Sequence, residues 1–316
     1  MKRGLLMDSQ FVKDILRDCV LCPRECHVDR TSGKRGYCRT TDELVVARAA
    51  LHMWEEPCIS GKEGSGTVFF SGCHLGCVYC QNRNISKGLA GKTISIERLA
   101  EIFIELQDKG ANNINLVTPS HYVPHIIEAL NIARRKGLGI PVVYNCSGYE
   151  KVEALKLLDG YVDVYLPDFK YMSDEPAMKY SNCRNYFPVA AAAIEEMMRQ
   201  VKKTVFDRRG IMQKGVIVRH LALPGYLDDS KRIIKYLHDT YGNKIYISIM
   251  NQYTPMTVNE AYPELNRKIA DREYEELVDY AVEIGIENGF IQEGGTASQS
   301  FIPEFDGEGV LPKNKY

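Results

Sequence analysis

Eight of the ten cysteines in this chain fall in one stretch, from Cys19 to Cys80, and only Cys146 and Cys183 come later. Thiols used simply to fill a core do not crowd in this way. A disulfide framework suits small secreted domains, whereas a chain of 316 residues can bury a full-sized core without one. The crowding therefore points to metal or cluster ligation, in two groups. Cys73, Cys77 and Cys80 stand in S-G-C-H-L-G-C-V-Y-C-Q-N, and Cys19, Cys22, Cys26 and Cys38 are spaced over the preceding Arg- and Gly-rich segment. Cys58, Cys146 and Cys183 read as buried small hydrophobes.

From Thr67 onward, β-rich runs alternate with helical patterns. Strands are predicted at 67–71, 113–118, 141–145, 162–167, 215–221 and 244–250, with a further short run at 290–292. Helices are predicted at 96–109, 122–136, 150–158, 185–201, 230–240 and 271–284, each with apolar residues recurring at three- and four-residue spacing. Strands separated by helices imply right-handed crossovers and a parallel sheet. The count fits both a doubly wound sheet and a partial barrel. In either, ligands bind at the carboxyl ends of the strands, where Ser71, Thr118, Asn145, Asp168, Arg219 and Asn251 fall. Residues 1–60 form a Cys-rich segment without sustained periodicity, to be ordered by a bound metal or by docking. Residues 61–292 form the α/β body, and 293–316 a C-terminal extension.

A formal net charge of -1 gives no bulk attraction to nucleic acid or to an anionic membrane. No apolar run approaches a membrane span, and the apolar stretch at Leu5–Met7 is too short for a signal peptide. The expectation is a cytoplasmic protein with neither nucleic-acid nor membrane partners.

Three thiolates on one tight loop after a strand can hold three corners of a [4Fe-4S] cube and leave one iron open. Gly72 and Gly76 let the backbone curl around it. With the C-x3-C-x2-C spacing and Tyr79 before the last cysteine, the loop resembles the radical S-adenosylmethionine (SAM) superfamily. The chain is most similar to uncharacterised relatives of pyruvate formate-lyase activating enzyme. The resemblance rests on W-E-E-P-x-I-S-G-x-x-G-S-G (54–66), N-x-S-G-Y (145–149), D-F-K (168–170), R-x-x-x-x-P-G (219–225) and Q-Y-T-P (252–255).

It implies a partial (β/α)6 TIM-like barrel of parallel strands with a Cys-rich N-terminal extension. It also implies that the open iron is chelated by the amino and carboxylate groups of SAM. A low-potential donor reduces the cluster, and a 5′-deoxyadenosyl radical takes a hydrogen atom from the substrate. Asp168 and Lys170 would be catalytic. Thr118, Ser120, Asn145, Ser147, Asp168, Lys170 and Arg219 would contact the cofactor.

Some alternatives stay open. Asp168 and Lys170 could be a structural ion pair, and Arg219 could bind a carboxylate of SAM or substrate, or Asp168. The G-G-E-type motif of many members is replaced by V-T-P-S-H, with His121 reading as a cap or surface residue. Cys19, Cys22, Cys26 and Cys38 would hold zinc or a second [4Fe-4S] cluster. The substrate could be the backbone glycine of a glycyl-radical enzyme, or a small molecule or peptide. A non-enzymatic cluster-bearing redox sensor would leave the SAM-site blocks unexplained.

Overall fold

The computed structural model describes residues 9–256, 258–292 and 303–312. Its strands are β1 (Leu44–His52), β2 (Ser65–Phe70), β3 (Lys92–Ile94), β4 (Ile114–Val117), β5 (Val142–Cys146), β6 (Val164–Pro167), β7 (Val205–Phe206), β8 (Met212–Leu221), β9 (Tyr246–Met250) and β10 (Gly289–Ile291). They lie in the order β10-β9-β8-β6-β5-β4-β2-β1-β3, with β7 pairing β8. From β2 to β10 along this order the pairings are all parallel. Helices Ile96–Asp108, Val123–Arg135, Val152–Leu157, Tyr186–Val201, Leu227–Tyr241 and Asp271–Glu283 form the crossovers at the predicted positions. The result is a mixed α/β sheet, mostly parallel, consistent with a partial barrel.

The first sixty residues depart from the expectation of an irregular segment. β1 is a nine-residue strand, antiparallel to β2 and also paired with β3. Its residues Leu44, Val46, Ala47, Ala49 and Ala50 are buried. Residues 44–52 therefore belong to the sheet, and the Cys-rich part ends before Leu44. The C-terminal residues 304–311 lie along the same strand: the Ala49 amide donates to the Glu308 carbonyl and the Gly307 amide to that of Ala47. Residues 293–302 and 313–316 of the expected extension lie outside the described residues.

Between β1 and β2 the chain makes one turn of helix, Pro57–Ser60, which packs across the sheet's inner face. Cys58 and Ile59 sit against Val143, Val164, Leu166, Met212 and Ile217 in a separate apolar cluster. Asn113 donates to the Ile59 carbonyl at 2.8 Å and Asn112 to the Ser60 carbonyl at 2.7 Å, fixing the turn in place. Side chains alternate faces along a strand. Two positions beyond Val143, Leu166 and Ile217 come Asn145, Asp168 and Arg219 on the same face. An apolar floor thus carries a polar layer directly above it.

The polar layer depends on a close approach between β5 and β6. Gly148, at φ +75°, has its Cβ position 2.0 Å from the Asp168 carbonyl oxygen. Gly160, at φ +84°, has nothing within 4 Å of the same position. Gly148→Ala should therefore destabilise the protein by more than about 1 kcal/mol and clearly more than Gly160→Ala. Anaerobic chemical denaturation of the two variants measures the difference; equal losses would show that the close approach relaxes at no cost.

Candidate active site

A cavity of roughly 790 Å³ opens at the carboxyl ends of the strands. Cys73, Cys77 and Cys80 line it on one side; Thr118, Asn145, Ser147, Asp168, Lys170 and Arg219 line it elsewhere. Most of the expected site residues are thus brought together. Ser120 is not: it does not line the cavity, and its hydroxyl donates to buried Glu150 at 2.7 Å. His121 is neither a cap nor on the surface. It is 2% exposed, with Nε2 2.8 Å from the Ser71 carbonyl oxygen at the start of the cysteine loop.

The cysteine loop leaves β2 through Gly72, whose φ is +90°. A Cβ there would lie 2.5 Å from the Thr40 side chain and 2.7 Å from the Cys38 carbonyl. Only glycine permits this contact between the loop and the N-terminal segment. The Ser181 hydroxyl donates to Cys77 Sγ at 3.1 Å. Ser181 is joined to Tyr171 at 2.7 Å, and Tyr171 to Tyr79 at 2.7 Å. Tyr79 packs edge-on against Tyr180 and Tyr253, and Gln81 donates to the Gln252 carbonyl at 2.8 Å. The loop is therefore tied to the Q-Y-T-P block. Burial, with Cys77 and Cys80 close by, pushes the Cys73 thiol up to about 12.

Arg219 organises the polar layer. Its Nε donates to Asp168 at 2.9 Å, Nη1 to Glu55 at 3.2 Å and Nη2 to Asn145 at 2.6 Å. Lys170 Nζ donates to the other Asp168 oxygen at 2.7 Å. Burial pushes the Asp168 carboxyl up, but Arg219 and Lys170 outweigh it and hold the group below its usual value. Burial would pull the Lys170 ammonium down, yet Asp168 and the Cys77 sulfur hold it above its usual value. The ion pairing left open by the sequence is present, and it faces both the cavity and the thiol loop.

Glu55 and Glu56 also line the cavity, and the sequence reading passed over both. Asn115 donates to Glu55 at 3.1 Å. Burial raises both carboxyls, with Arg219 opposing. The available signal was the pair of carboxylates inside the W-E-E-P block, immediately before an apolar turn that has to be buried. Thr118, a β-branched residue just past β4, is held at φ +57° on the cavity wall. Such backbone strain in a β-branched residue is a recurrent feature of ligand sites.

The second cysteine group also converges. Cys19, Cys22 and Cys38 are buried. The Cys26 and Cys38 sulfurs flank Gly36, at 3.1 and 3.5 Å from its Cβ position. Burial pushes the Cys22 thiol up to about 12, with Cys38 and Cys19 adding to it. Among the described residues, no three or more His, Cys, Asp or Glu side chains close around one point as a single ion requires. The irons of a cube each take one thiolate, so its ligands stand apart from one another. The all-thiol donor set of the loop, at the rim of a roomy cavity, suits a cluster.

Mostly parallel strands joined by helices thus carry three thiols on the lining of a charged cavity. The model of the radical SAM superfamily matches residues 67–254, and the chain belongs to that superfamily. It therefore carries a [4Fe-4S] cluster, binds SAM and needs an electron donor. It is 31% identical over 280 residues to uncharacterized protein MJ0674 of Methanocaldococcus jannaschii, over 86% of this chain and 76% of that one. Among solved structures, Streptococcus suis SuiB bound to precursor peptide SuiA is similar at TM-score 0.47 and 12% identity, over 71% of this chain. The chain spans 47% of SuiB. Methylornithine synthase (PylB) is similar at TM-score 0.48 and 13% identity, over 77% of this chain and 70% of that one. Among the described residues, no helix is long and apolar enough to cross a membrane.

Arg219→Lys keeps one charge but cannot span three acceptors, leaving Asn145 and Glu55 without their donor. It should lower unfolding stability by about 1–3 kcal/mol. An unchanged denaturation midpoint would show that the polar layer is not one network.

Proposed function

We propose that Cys73, Cys77 and Cys80 hold the [4Fe-4S] cluster, and that SAM and a substrate share the cavity between this loop and the polar layer. The observation that carries the reading is that the three thiols, Lys170, Asp168 and Arg219 line a single cavity. When bound, the cluster and SAM supply one-electron reductive cleavage of the cofactor and hence the removal of a hydrogen atom from the substrate. The chain's part is to position and to shield. Three cysteines leave one iron for a ligand other than protein. Lys170, beside Cys77 and held charged by Asp168, offers a cation to an anionic group near the loop. Thr118, Asn145 and Ser147 offer further polar contacts in the cavity lining. The apolar floor under the polar layer keeps bulk water out from below.

The charged lining favours a polar small molecule or peptide as substrate. Activation of a glycyl-radical enzyme is the narrower reading implied by the sequence blocks, but a backbone glycine carries no charge for this lining to recognise. We also propose that Cys19, Cys22, Cys26 and Cys38 bind metal, as zinc or a second cluster. Their support is the Cys26 and Cys38 sulfurs flanking Gly36, with Cys22 close enough to feel Cys38 and Cys19, in a segment with little apolar core of its own.

Anaerobically reconstituted protein with SAM and a strong reductant should release 5′-deoxyadenosine and methionine, and Cys77→Ala should release neither. Metal counts on the same wild-type sample should give about four irons for one cluster or about eight for two, with zinc reporting on the N-terminal site. Release of 5′-deoxyadenosine by Cys77→Ala, or wild-type protein without iron, would contradict the assignment.

A further inference from the structure

The cavity lining holds more acidic than basic side chains. Glu55, Glu56 and Asp168 are part of it, against only Lys170 and Arg219. His52, also on the wall, has its imidazole pulled down by burial and by Arg48, and so adds no cation near neutral pH. Arg219 is spread over Asp168, Glu55 and Asn145, and Lys170 is taken by Asp168. Glu56 lies in the field of Arg219 and has a hydrogen bond with Ser248. It is only 8% exposed, and its Oε2 has no hydrogen-bond partner among the described residues. A desolvated carboxylate oxygen without a partner is costly, and a cation brought by a ligand offsets that cost.

Glu56 is held where it is by the fold. It is the residue before the helical turn Pro57–Ser60, anchored by Ile59 in the apolar floor and by the Asn113 and Asn112 amides. The Glu55 amide donates to Ser60 Oγ at 3.0 Å, which closes the segment on itself. The Glu56 backbone is therefore fixed at the cavity lining.

We propose that Glu56, with Glu55 beside it, is the recognition site for a positively charged group of the substrate, an ammonium or a guanidinium. The proposal rests on the cavity being the one in which the radical chemistry occurs, and it narrows the substrate to an amine-bearing or guanidine-bearing molecule or side chain. SAM is itself cationic, so the same chemistry has a second source that the test must separate.

The probe is n-butylammonium, with 1-butanol as its uncharged counterpart, titrated by calorimetry into anaerobically reconstituted full-length protein in the presence of SAM. Butylammonium should bind at least about tenfold more tightly than butanol, the size expected of one charge-assisted hydrogen bond. Glu56→Gln, which keeps the shape and removes the charge, should abolish that preference. SAM affinity is measured on the same variant. If it falls while butylammonium shows no preference in the wild type, the cation is the cofactor's own and the substrate assignment is overturned. Equal binding of butylammonium and butanol to the wild type also overturns it, and needs no variant should Glu56→Gln fail to fold. Binding is read without turnover, so protein that binds butylammonium but does not cleave SAM would count against the radical reading alone.

Discussion

Charges inside a barrel have to be paired, and here one guanidinium does most of the pairing. Arg219 reaches Asp168, Glu55 and Asn145 from β8, joining β6, the segment before the floor turn, and β5. Asp168 passes the connection on to Lys170, which faces the thiol loop. A planar fork with several donors is the side chain suited to such a junction; a point charge is not. The layer it organises is one strand step above apolar residues, so its charges have solvent on the cavity side only.

The thiol loop is fixed from the other direction by the N-terminal segment. Arg24 donates to the carbonyls of His74 and Leu75 on the loop and to that of Ser181 beside Cys77, at 2.9, 3.2 and 3.0 Å. Arg30, fully buried, donates to the Thr41 and His121 carbonyls and to Thr40. These contacts place the second cysteine group against the loop that carries the first. The Cys-rich segment is thus ordered by docking as well as by whatever its thiols hold.

Much of this was legible in the sequence because it is local. The crossover helices and parallel strands follow from periodicity, and the loop from cysteine spacing after a strand. β1 was missed because its Ala-rich run, L-V-V-A-R-A-A-L-H, is buried on both faces over much of its length and so does not alternate. Glu55 and Glu56 were missed because their importance comes from the turn that follows them, and Pro57–Ser60 acquires meaning only when it closes the barrel floor. The misplacement of Ser120 had a similar origin. It lies just past the end of β4, but Thr118 takes a left-handed conformation there and Ser120 ends up bonded to Glu150.

In the proposed site a cube is gripped at three corners by Cys73, Cys77 and Cys80, with the remaining iron open to SAM. Electron paramagnetic resonance on the reduced, anaerobically reconstituted protein tests this directly. The prediction is a [4Fe-4S] signal whose g-values shift when SAM is added and that shows hyperfine coupling to nitrogen-15 in the amino group of labelled SAM. A cluster signal indifferent to SAM, or no cluster signal at all, would contradict it.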